Sequence, residues 1–243
     1  MGFGQELSAV SLLKLLSFLF WSCLYLWYSA QSPKQSPEWC SRAVTLLHGS
    51  VASIVGLIQC GVLNLTPYRL TMKIRPWHYA LMVWSWGYFA FDLLWCLVYW
   101  TEGALMLCHH TTALLAINIY MQKSHTGCTF ACTMALLEIT NPLLQTRWFI
   151  RNAGFDKTMV FLIIELIYLA TFISFRGIIG SYVMYKIVNS DLFDVEEKII
   201  SFVFYLVSLA FIYEMLGYVL HRYRTRLEPL KTYLEETGVV LND

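Results

Sequence analysis

Residues 104–121 read ALMLCHHTTALLAINIYM. At about 1.5 Å of rise per residue, an α-helix of this length covers about 27 Å, close to the roughly 30 Å hydrocarbon core of a bilayer. Into that span the chain puts two adjacent imidazoles, His109 and His110. Ionisable groups are costly at membrane depth, so an intramembrane pair marks a functional site by default.

The rest of the chain has the same character. It is 58% hydrophobic with only 14% charged residues, and its mean hydropathy is +0.55. These values exclude an ordinary soluble globular protein. Seven apolar segments are long enough to span: Ala9–Tyr28, Ala43–Leu63, Tyr79–Trp100, Ala104–Met121, Cys128–Arg147, Thr158–Tyr185 and Ile199–Leu220. They use most of the 243 residues and leave no room for a soluble domain. The reading is an all-α integral membrane protein. The first segment carries Lys14 and ends in Tyr25, Trp27 and Tyr28 rather than small residues, so it reads as a retained anchor, not a cleaved leader.

Seven cysteines are present, Cys23, Cys40, Cys60, Cys96, Cys108, Cys128 and Cys132. Most fall within predicted spans, where a thiol behaves as a small hydrophobe. With no CxxC pair, neither a disulfide framework nor a zinc site is expected.

Orientation follows from the Lys/Arg count. One side holds Lys34, Arg42, Arg147, Arg151, Lys157, Arg222, Arg224, Arg226 and Lys231. The other holds Arg69, Lys73, Arg75, Lys123, Lys186 and Lys198. The excess, together with HRYRTR at 221–226 beside the last span, places the C-terminus in the cytosol and the N-terminus outside. The sequon Asn64-Leu65-Thr66 is followed by Pro67 and hugs the membrane, so it is expected to stay unmodified. Gln31–Pro37 and Asp191–Lys198 read as connectors.

Counting inward at the helical rise brings His48, Asp92, His109, Glu138, Asn141, Glu165 and Glu214 about 7–14 Å below the cytosolic face. Arg176 is expected near the opposite surface. Such a layer predicts an internal polar cavity, since each group facing lipid alone would cost several kcal/mol. Only Thr101-Glu102-Gly103 joins the third and fourth segments. In that hairpin Asp92 can reach His109 or His110, and a carboxylate on an imidazole sets its tautomer and raises its basicity. Asn141-Pro142 is expected to kink its helix.

Adjacent histidines point about 100° apart on a helix. That suits one base or nucleophile with an orienting neighbour. Chelation from one helix wants i,i+4 spacing, so no metal is expected. His48, His78, His125 and His221 supply no HxxxH or HxxHH motif, which argues against a di-iron hydroxylase. No Gly-x-Ser-x-Gly elbow or phosphate loop is present. A seven-helix receptor is set aside as well. No tyrosine follows Asn141-Pro142 where such receptors have one, and His221-Arg222-Tyr223 closes the seventh helix, not the third.

Gly87-Tyr88-Phe89-Ala90-Phe91-Asp92, His109-His110-Thr111-Thr112, Leu137-Glu138, Asn141-Pro142 and Arg147-Trp148 together resemble the TLC domain shared by TRAM, Lag1 and CLN8 proteins. The similarity runs from about His48 to Arg222, and in length the chain is similar to the small TLC domain-containing proteins. The resemblance implies six TLC helices (within residues 31–226) around a lipid cavity, with residues 1–30 as an added anchor helix and 227–243 as a short cytosolic tail. It implies an endoplasmic reticulum, other endomembrane or plasma-membrane location, a membrane lipid or acyl chain as partner, and no nucleic acid.

In the ceramide-synthase branch the histidine pair carries acyl transfer from acyl-CoA to a sphingoid amine, and His109 and His110 match that pair. The branch's Asp-x-x-Asp-x-x-Leu-Glu motif reads here, one residue on, Glu138-Ile139-Thr140-Asn141. One acid is lengthened and the other is an amide. Two readings follow. The first is lipid homeostasis, a protein that binds lipid and regulates membrane composition without a bound cofactor. The alternative is an acyltransferase using acyl-CoA as co-substrate, with His109 or His110 as base or nucleophile, Asp92 orienting it, Glu138 assisting, and His48, Asn141, Glu165 and Glu214 lining the cavity.

Overall fold

The computed structural model describes residues 3–60, 73–100 and 103–236, with side chains described except at 3–8, 223 and 225–236. The sequon Asn64-Leu65-Thr66, with Pro67 and Arg69, lies outside the described residues. Among the described residues the regular structure is entirely helical: α1 Phe3–Gln31, α2 Pro37–Cys60, α3 Pro76–Tyr99, α4 Ala104–Gln122, α5 Gly127–Glu138, α6 Asn141–Asn152, α7 Met159–Phe172, a π-helical segment Ile173–Ile179, α8 Gly180–Val188 and α9 Val195–Glu236. Among the described residues seven stretches are long and apolar enough to cross a membrane, with α5–α6 forming one and α7 to α8 another. These are the seven segments expected from hydropathy.

Local chemistry sets the helix ends. Pro76 sits in the first turn of α3, where its missing N–H costs nothing, and the Arg75 N–H donates to His78 Nδ1 at 3.2 Å. Trp100 closes α3 in the left-handed region at φ 50°; its N–H donates to the Cys96 carbonyl at 2.9 Å. Gly103 then starts α4, so α3 and α4 form a tight antiparallel hairpin. Thr158 caps α7 by accepting from the Phe161 N–H at 3.2 Å. Pro142 lies in the first turn of α6, and the fifth span breaks into α5 and α6 just before it.

Small residues let the helices approach closely, as they must where lipid supplies no hydrophobic drive. A Cβ on Gly56 of α2 would come within 2.9 Å of the Ala131 carbonyl on α5. One on Gly49 would meet Asn141 Cβ at 2.8 Å. Gly87 of α3 lies against Ser17 of α1 in the same way. The first helix therefore packs on the bundle. Its Trp21, fully buried, donates to the Trp84 carbonyl at 3.0 Å, and Lys14 Nζ donates to Asn118 Oδ1 on α4 at 2.6 Å.

Two expectations need correction. Cys60 and Cys132 form a disulfide, with Cα atoms 4.7 Å apart across 72 residues of sequence. It ties the end of α2 to α5 at the pole opposite the arginine-rich one. Sequence spacing alone could not reveal it, because pairing depends on which helices adjoin. Arg176 does not lie near the far surface. It is buried and donates to the Leu137 carbonyl at 2.7 Å, one residue from Glu138. Helical side chains lean toward their N-terminus, which here carries the guanidinium back toward the polar layer. The wider π-helical coil that holds it, Ile173–Ile179, also upsets a residue count made on a regular helix.

At the same far pole Lys123 binds Asp194 at 2.8 Å and Glu196 at 3.2 Å, tying α4 to the start of α9. The lysine holds the Asp194 carboxyl below its usual range, and the two acids hold the Lys123 ammonium above its own.

Candidate functional site

Tyr88, Asp92 and Cys96 follow one another at i,i+4 along α3 and so form one stripe. Across the hairpin His110 of α4 puts Nε2 3.3 Å from Asp92 Oδ2. The Tyr88 hydroxyl donates to the same Oδ2 at 3.0 Å, leaving that carboxylate oxygen held from two sides. Of the two histidines offered by the sequence, it is His110 that meets the acid. His109 turns into an aromatic setting, edge-on to Phe204 and Phe211 with ring centroids 5.6 Å away in each case. This is the divergence expected of neighbours on a helix.

A second acid–imidazole pair lies beside the first. His48 of α2 places Nδ1 3.5 Å from Glu138 Oε2 of α5, and Asn141 Nδ2 of α6 donates to the same oxygen at 2.7 Å. The other ring nitrogen of His48 is 3.4 Å from Ser85 Oγ. His48 stacks flat on Tyr88, with centroids 3.8 Å apart and planes 6° from parallel. Tyr88 therefore joins the two pairs, by stacking on one side and hydrogen bonding on the other.

A third cluster lies nearer the end of the bundle. Glu165 of α7 is 1% exposed. Its Oε1 accepts from Arg147 Nε at 3.0 Å and Nη2 at 2.9 Å, and Arg222 Nη1 is 3.2 Å away. The Tyr218 hydroxyl is 3.3 Å from the same oxygen. Nearby, Arg42 pairs with Glu38 at 2.8 Å, donates to Gln145 Oε1 at 3.2 Å and lies over the Trp148 ring at 4.8 Å.

These groups surround a cavity of about 430 Å³, lined among others by Asp92, His109, His110, Glu138, Asn141 and Glu165. Glu214 also lines it, at an exposed position. His48 does not. It is fully buried behind Tyr88 and touches the lining residues Tyr88, Phe89 and Glu138. Among the lining residues that the sequence reading did not assign to the cavity are Tyr88, Cys96 and Arg176. An arginine inside an apolar segment was itself the signal for the last, and i,i+4 spacing from Asp92 was the signal for the other two.

A smaller apolar pocket of about 90 Å³ adjoins the first, lined by Ala113, Ile117, Phe130, Met134 and Val183. Phe89 and Arg176 line both. The arrangement is a polar chamber near the arginine-rich pole with an apolar slot beyond it. An imidazole held by a carboxylate can take up or deliver a proton at a ligand in the chamber.

The sequence pattern of the TLC domain, the TRAM, LAG1 and CLN8 family, matches residues 38–223. That range covers α2 through the membrane part of α9 and leaves out α1, in keeping with the resemblance seen in the histidine, aspartate and Asn-Pro motifs. With its seven apolar helices, this chain is a multi-pass membrane protein that belongs to the TLC-domain family.

Proposed function

We propose that the chain binds a membrane lipid or acyl chain in its two adjoining cavities and in that way adjusts membrane lipid composition. The observation that carries this is the junction at Phe89 and Arg176, where a polar chamber meets an apolar slot. A lipid is the ligand with both halves. Its carbonyl or headgroup suits the chamber, and its methylenes suit the slot, each gaining about 0.8 kcal/mol on burial. The test is mass spectrometry of the purified protein, with acyl-lipid profiling of cells that lack it. Co-purifying lipid and an altered phospholipid acyl profile are expected. A lipid-free protein and an unchanged profile would refute the reading.

Acyl transfer is the second reading, favoured by the 3.3 Å approach of Asp92 to His110. It predicts release of free CoA from acyl-CoA supplied with an amine or alcohol lipid. His110→Ala should slow that release at least about hundredfold while lipid still binds. Histidine-dependent turnover by the purified protein would displace the regulatory reading. Absence of turnover with lipid bound would retain it.

We place the arginine-rich pole and the polar chamber on the cytosolic side, in an endomembrane or the plasma membrane. The Lys/Arg excess supports this. So does the Cys60–Cys132 disulfide at the other pole, since disulfides persist on the oxidising, lumenal side. A C-terminal tag should be digested when protease is added to intact microsomes. Protection of the tag would reverse the assignment.

A further inference from the structure

We propose that Asp92, Cys96 and His110 form a binding site for a zinc-class divalent metal ion, with one coordination position left open to the cavity. Each of the three residues offers one ligand atom. The atoms lie within 4.8 Å of one another, and all three residues are buried. The histidine pair lacks chelating spacing, but Asp92 and Cys96 have it: one helical turn apart on α3, they present an oxygen and a sulfur on the same face. His110 completes the set from the facing helix. All three line the polar chamber.

The distances suit a tetrahedral ion. With metal–oxygen and metal–nitrogen bonds of about 2.0–2.1 Å, the edge between two such ligands is about 3.3 Å, and His110 Nε2 lies 3.3 Å from Asp92 Oδ2. A thiolate at about 2.3 Å from the metal makes its edges about 3.6 Å, so from a separation of at most 4.8 Å the sulfur has to close by at most about 1.2 Å. Tyr88 already holds the metal-facing carboxylate oxygen, at 3.0 Å, the kind of outer support that fixes a ligand's orientation.

Charge argues the same way. Binding displaces the Cys96 thiol proton to solvent. The dication then meets one carboxylate, one thiolate and a neutral imidazole, a set with no net charge, which is what a site inside a bilayer needs. Mixed sulfur, nitrogen and oxygen donors favour zinc over magnesium or calcium. Three protein ligands with an open fourth position are the pattern of zinc sites that take water or a ligand oxygen.

The inference is independent of the lipid reading, because its test reads metal and not lipid. Protein purified in detergent without chelator should carry about one zinc per chain by elemental analysis. After stripping, Co²⁺ should give a near-ultraviolet thiolate-to-metal absorption band. Cys96→Ser should remove that band. Cys96→Ser, Asp92→Asn and His110→Ala should each weaken zinc binding at least about hundredfold, at or beyond the upper end of losses seen when only an outer-shell support is removed. Cys40→Ser, on α2 outside the cluster, should leave both readouts intact. If a variant fails to fold, the wild-type Co²⁺ titration decides alone. Absence of a thiolate band in folded wild type, or zinc retained at full affinity by Cys96→Ser, would overturn the site.

Discussion

Glu165→Ala is expected to destabilise the folded bundle by about 3–5 kcal/mol, the usual cost of deleting one member of a buried ion pair. Glu165 is 1% exposed, and its Oε1 receives Arg147 at 2.9 Å and Arg222 at 3.2 Å. Without the acid, two guanidinium groups face each other at the end of the cavity. Their side chains keep 15% and 17% exposure, so screening moves the effect toward the lower end of the range. Contacts to the Phe161 ring, 5.7 Å from Arg147 and 5.2 Å from Arg222, do not replace the lost negative charge. Interhelical hydrogen bonds in membranes average only about 0.6 kcal/mol, so the measurement separates a charge clamp from an ordinary polar contact. Equilibrium unfolding in micelles, followed by tryptophan emission, reads the difference. A loss below about 1 kcal/mol would show that the arginines are satisfied elsewhere. Glu165→Gln, which keeps an acceptor but not the charge, should fall between the two.

Ala116→Phe should shorten the apolar slot and make ligand binding depend on chain length. Ala116 lines the pocket of about 90 Å³ and is 7% exposed, so a phenyl ring grows into that space. Excluding about three methylenes at about 0.8 kcal/mol each removes about 2.4 kcal/mol, roughly a sixtyfold loss of affinity for a long chain. A short-chain analogue that ends before the slot should bind as to wild type. Overpacking can itself cost about 1–3 kcal/mol of stability, but general damage would weaken both ligands. Equal losses for short and long chains would dissociate the slot from lipid binding.

Hydropathy revealed all seven spans because each must supply about twenty apolar residues, a demand too strong for local composition to hide. The ends were less legible. α2 begins at Pro37, six residues before the apolar run, because Glu38 and Arg42 pair along the helix at its polar end. Counting turns assigned the polar groups to one layer, and the structure puts Asp92, His109, His110, Glu138, Asn141, Glu165 and Glu214 around one chamber. Depth is a count along an axis and says nothing of azimuth. That is why His48 proves to stand behind Tyr88, and why His110 rather than His109 meets Asp92. Arg176 escaped because its long side chain runs back along the helix, and the Cys60–Cys132 pairing because it depends on helix adjacency across 72 residues.

The contact between Lys14 and Asn118 bears on how the protein is made. The two residues are 104 positions apart, so at about 5–20 residues per second the ribosome needs about 5–20 s to reach the second after the first. During that interval the leading helix holds an ammonium group whose eventual acceptor does not yet exist. Lys14 lies near one end of the span Ala9–Gln31, so its cost in a lone helix falls below the value of about 2.5–3.5 kcal/mol for a lysine at the centre. The first helix can pack on α3 through Trp21 and Trp84 before that, and the Lys14 ammonium gains its acceptor when the histidine-bearing helix follows. Translation thus sets the earliest moment at which this contact can pin the first helix to the bundle.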